Sequence, residues 1–255
     1  MKGIIILCMV TLFCSCTFKN SKPYSAKKTA SILSKFYQTE IEVIKEVTVK
    51  EAPCAENRYI MRDKIFGFEF VAGVSIEDSH FPFWPAFVQH INDNYQTAIM
   101  CHFGESAKKL ANNYGIRLVP VDNIRQQPLD RIYIEEPEQL VEVSKLYFQL
   151  KALYHFDKEW KYDLHPMLTY PQFYVSYLEQ DNPNIDQANL IHSFDYVIYG
   201  DPKKFINEDY QNTETMLNSL SAWWNEAYRQ GKVIVPTPDR DFNKIREKIK
   251  KENAE

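Results

Sequence analysis

Glycine is scarce in this chain: 7 in 255 residues. So few permissive backbone positions leave little material for a loop that cradles phosphate. Neither G-x-x-x-x-G-K-[ST] nor G-x-G-x-x-G occurs, which disfavours a classical nucleotide-binding enzyme. G-x-S-x-G, H-E-x-x-H and paired C-x-x-C are missing too, so no hydrolase or zinc-site signature is present. The chain also lacks a strong charge of either sign. Its formal net charge is −4, and its sequence pI of about 5.9 agrees. That leaves no basic face of the kind nucleic-acid binding requires. The most basic stretch, Lys244, Arg246, Lys248, Lys250 and Lys251, reads as the solvated side of a terminal helix.

What is abundant is aromatic. Tyrosine and phenylalanine number 16 each, with 45% hydrophobic and 25% charged residues, a composition that folds rather than stays disordered. The length suits one large domain or two small ones.

The N-terminus carries the most specific signal. Lys2 precedes an apolar run from Ile4 to Phe13, about the length of a signal-peptide core. Lys19 and Lys22 end the run well short of the ~20 residues a spanning helix needs. In Phe13-Cys14-Ser15-Cys16, small Ser15 stands before Cys16, whereas bulky Phe13 stands before Cys14. This stretch resembles a bacterial lipoprotein signal, in which a small residue precedes the cysteine that becomes the lipid-modified N-terminus. The resemblance covers the first sixteen or so residues. It implies cleavage before Cys16, a fatty-acyl (palmitate) anchor there, and an extracytoplasmic place on the cell membrane or outer membrane. Residues 1–15 are then the signal peptide and 16–24 a lipid-anchored tether containing Pro23. An ordinary cleaved signal or an uncleaved anchor is the alternative.

Beyond the tether, apolar spacing predicts a short amphipathic helix over Ala26 to Tyr37 and a strand in "IEVIKEVTVKE". "RYIMRDKIFGFEFVAGVSIE" reads as a hairpin turning at Asp63, Lys64 and Gly67, and residues 85–115 as one long helix or two. A strand over Arg131 to Ile134 leads into a helix opened by Pro137, with Val143, Leu146, Tyr147 and Leu150 on its apolar face. Strands are expected at Trp160 to Leu164, Gln172 to Leu178 and Ser193 to Tyr199, and a helix from about Thr213 to Arg229. A further strand in "KVIVP" precedes a C-terminal helix capped by Thr237. The fold class is α+β, with antiparallel sheets packed against helices. Both halves read three strands, helix, strand, helix, which suggests two related β-β-β-α-β-α units over 25–156 and 157–255, or one continuous domain.

The richest polar cluster is "SIEDSHFPFWP". Asp78 two residues from His80 suits a metal ligand pair or an oriented base, and Trp84 with Phe81 and Phe83 suits a sugar or peptide. The structural reading has the acids capping a helix and the aromatics stapling it. His165 with Asp163 and His192 with Asp195 are similar pairs, but the six histidines show no ligand spacing, so no metal and no cofactor is assigned. Outside the cytoplasm Cys54 and Cys101 are a candidate disulfide, set against a buried free thiol for Cys101. Of Trp223 and Trp224 on one helix, only one can face fully inward, and an exposed one marks a partner surface. The expectation is an anchored binding protein, with a protein partner ahead of a small ligand. The alternatives are a cell-surface hydrolase using Asp78 and His80, and a structural envelope protein.

Overall fold

The computed structural model describes residues 22–48, 56–79, 86–156, 171–179, 184–196 and 212–237. They fall into two compact units, one running through Tyr95 and the other beginning at Gln96. Together they form an α+β fold with two four-stranded, mostly antiparallel sheets and four α-helices.

The first unit opens with helix α1 (Ala26–Tyr37), whose N-terminus is capped by the Ser25 hydroxyl accepting from the Lys28 amide at 3.4 Å. Thr29, Ala30, Leu33, Phe36 and Tyr37 form its buried face. Strands β1 (Ile41–Thr48), β2 (Glu56–Asp63), β3 (Glu69–Ser79) and β4 (Ala86–Asp93) follow as an antiparallel meander in sequence order. Alternate residues Tyr59 and Met61, and Phe70, Ala72 and Val74, point into the core, as a half-buried sheet requires. The β2–β3 turn is built on Asp63, whose Oδ1 accepts from the amides of Ile65 and Phe66, with Gly67 at φ +81°.

One expectation fails here. Residues 86–93 form a strand, not the start of a helix, because they pair with Ala72–Ser79 along the open edge of β3. Strand pairing overrides a local apolar spacing that suits either structure. The helix begins only at Tyr95, whose amide donates to Asp93 Oδ1 at 3.0 Å.

In the second unit, α2 (Tyr95–Asn113, from Gln96 onward) ends at Gly115, with φ +66°. Strands β5 (Arg117–Val119) and β6 (Leu129–Ile134) follow, and a 3-10 turn at Pro137–Gln139 leads into α3 (Leu140–Leu153). Then come β7 (Gln172–Tyr177), β8 (Asn189–Asp195) and α4 (Thr213–Arg229). The sheet order is β5-β6-β7-β8, with β6 and β7 parallel and the other pairs antiparallel. Rings tie the helices to one face of it: Tyr147 of α3 meets Phe173 edge-on, and Trp224 of α4 meets Tyr177 in the same way.

The described elements after α1 therefore run four strands, helix, two strands, helix, rather than three strands, helix, strand, helix. "KVIVP" is not a strand. It runs back along α4, where the Trp224 indole donates to the Val235 carbonyl at 2.8 Å and Thr237 donates to the Asn225 side chain. Residues 160–164 and the expected C-terminal helix lie outside the described residues. Among the described residues, no helix is long and apolar enough to cross a membrane.

Candidate functional site

Few of the residues singled out in the sequence come together. Asp78 lies on β3, in register with Phe87 of β4. Cys16, Cys54, His80, Trp84, Asp163 and His165 lie outside the described residues. Cys101 sits half-buried on α2 as a free thiol, which burial, then the charges of Asp122 and Asp130, push above the usual thiol range. A thiol held protonated in this way is a poor nucleophile at neutral pH. Asp195, on β8, accepts from the Gln172 side chain at 3.2 Å.

The carboxylates that the fold does bury are surrounded by tyrosines. In the second unit Asp130 is fully buried on β6, on the face covered by α3, and its Oδ2 accepts from the Tyr196 hydroxyl at 2.8 Å. Tyr154, at the end of α3, brings its hydroxyl to the same carboxyl without forming a good hydrogen bond, so Oδ1 and that hydroxyl are left unpaired. Burial pushes Asp130 up to about 7, against the lowering effect of the two hydroxyls. Tyr154 and Tyr196 are raised well above the usual tyrosine range by burial and by the Asp130 charge. Tyr147 stacks on Tyr196 at 5.4 Å and donates to the Asp195 carbonyl, closing the cluster.

The first unit has its own version. Asp63 accepts from Thr39 and Tyr95 hydroxyls, both at 2.8 Å, besides its two turn amides. Asp93 accepts from the Tyr37 hydroxyl at 2.7 Å and is pushed up to about 6 by burial. The Tyr37 and Tyr95 rings stack at 3.8 Å between the two acids. These hydrogen bonds tie Tyr37, Thr39 and Tyr95 to the acids of the first unit, and Tyr196 to Asp130 of the second. Asp63 and Asp130 are fully buried, and Asp93 is half-buried.

The surface is more informative. On α4, Trp224 is buried while Trp223 remains 43% exposed and stacks on the His192 ring of β8 at 4.1 Å, nearly parallel. Ile234, 70% exposed, and Val235 lie in the segment that returns along α4, and Tyr228 adds a second exposed ring to the helix. These exposed apolar side chains, on the helix and on the segment that returns along it, make up the strip around α4. Sequence reasoning reached Trp223 and His192 separately, and missed Ile234 by placing it in a strand.

A second concavity was not legible in the sequence. The loop between β5 and β6 encloses a cavity of about 430 Å³ against Val119, Leu129 and Arg131. Val119 and Arg131 are register partners and so share a face of the sheet, the face opposite Asp130. Among the described residues, no group of three or more His, Cys, Asp or Glu side chains is set to hold a metal ion. No protein-family model, no curated protein and no solved structure matches the chain.

Proposed function

We propose that this chain is a lipid-anchored, extracytoplasmic binding protein of bacterial type that engages a protein partner through the strip around α4. The observation that supports this reading is the exposed Trp223 ring stacked on His192, with Ile234 and Val235 also exposed in the segment that returns along α4. Exposed tryptophan and tyrosine are the side chains that dominate protein interfaces, because they bury large area with few rotors to freeze. The anchor rests on Ser15-Cys16 after the apolar run and serves to hold the domain at a membrane surface. The test is crosslinking from intact cells with a photoreactive residue at Tyr228. A partner band that is lost in Trp223→Ala, with the circular dichroism spectrum unchanged, supports the reading. A band pattern identical in Trp223→Ala and wild type removes α4 as the interface, and no band at all removes the partner.

A further inference from the structure

The cavity beside β6 has the chemistry of a binding site and is separate from the strip around α4. It exists because β5 is only three residues long. Its last pair is Val119 with Arg131, so β6 extends past it by Leu129 and Asp130, which have no partner on β5. The chain leaves the sheet at Pro120 and returns at Pro128, and the cavity lies under that excursion.

The excursion is held in place at several points. Pro120 packs against Gly104 of α2, where an added Cβ would lie 3.5 Å from the proline ring. Val121 is buried, the Thr97 hydroxyl donates to the Gln126 carbonyl at 3.3 Å, and the Gln172 amide donates to the Pro128 carbonyl at 2.8 Å. The Asn123 side chain accepts from the Arg125 amide at 3.0 Å and tightens the tip. A pocket formed in advance in this way does not charge a ligand for ordering the loop.

Its lining combines an apolar floor, from Val119, Val121 and Leu129, with two opposite charges and two carboxamides at the rim. Asp122 and Arg131 make no ion pair among the described residues, with each other or with anything else. An arginine fork matches a carboxylate, an aspartate matches an ammonium, and the amides of Gln126 and Gln127 can each donate and accept. Beside them runs a stretch of β6 without a neighbour on that side, suited to an extended backbone.

From this arrangement we infer that the cavity binds a short peptide with free termini, its carboxylate on Arg131, its ammonium on Asp122 and its side chain on Val119 and Leu129. The inference stands whether or not α4 carries the partner surface.

Calorimetric titration of the full chain with the dipeptide alanyl-leucine tests it. Saturable single-site binding is expected, weakened about tenfold or more when the dipeptide is N-acetylated or C-amidated, since each cap removes one charge-assisted contact. Asp122→Asn should bind the free and N-acetylated forms alike, and Arg131→Gln the free and amidated forms alike. Both side chains are exposed, so neither substitution threatens the fold. No saturable heat up to about 10 mM, a range that covers weak binding, overturns the inference. So do caps without effect, or variants that keep full discrimination between free and capped forms.

Discussion

Asp130 has a carboxyl group removed from water, with one oxygen hydrogen-bonded to Tyr196 and the other unpaired. Folding therefore raises its pKa from 3.8 to about 7. The neutral acid is the form the folded state prefers, so its contribution is full below the unfolded value and is lost as pH rises through the folded one. Stability should fall between about pH 4 and pH 7 by an amount on the order of 2–4 kcal/mol. Urea melts over that range should show the fall in wild type and a flattened profile in Asp130→Asn; parallel profiles would sink this account. Tyr196→Phe removes the one good donor and should cost about 1–3 kcal/mol at pH 8, and less at pH 5, where the carboxyl is neutral. Asp93 adds a smaller fall that ends near pH 6. Tyr154 and Cys101 also feel the Asp130 charge, and both are raised and stay neutral throughout this window.

At the scale of elements, the caps and turns make their own predictions. The Asn212 side chain accepts from the Thr215 amide while Thr215 answers with its hydroxyl, a reciprocal box at the start of α4. Asn212→Ala should lower stability by about 1 kcal/mol, read from the midpoint of the same urea melts. Gly67→Ala meets no atom within 4 Å but must hold φ +81°, so a cost of about 1 kcal/mol is expected from strain alone. What made the helices legible was the local 3.6-residue spacing of apolar residues. Apolar spacing alone places α1 at Ala26–Tyr37 and α4 at about Thr213–Arg229, as the structure has them. Strands were read less well because their partners are distant. Ala86–Asp93 takes its form from β3, β5 is too short to show a pattern, and β8 starts four residues before its expected Ser193. The extra residue Ile191 on β8, opposite Val175 and Ser176 of β7, breaks the alternation there.

For the whole molecule, the proposed address and the proposed partner surface come from different parts of the chain. Labelling of cells with a radiolabelled fatty acid should mark the protein and fail in Cys16→Ser; label persisting in that variant would end the lipoprotein reading. The candidate surface was partly visible in sequence, since a Trp pair on one helix must leave one ring outside. That Trp223 rests on His192, thirty-one positions earlier, is a matter of β8 lying under α4. The cavity at Arg131 was invisible for a similar reason: it depends on where β5 stops, which no local pattern announces.

The parallel pairing of β6 with β7 has a bearing on how the chain is made. Sheet β1-β2-β3-β4 joins only sequence neighbours, so every pair can zip as soon as its turn has been synthesised, and all of it is available by Asp93. The other sheet cannot close until α3 has crossed over and Gln172 has reached Leu129. A chain threaded outward from its N-terminus would thus fold its first unit while the strands of the second still wait for each other. In that interval the side of Leu129–Ile134 that later meets β7 is an unpaired edge, open to pairing with another chain.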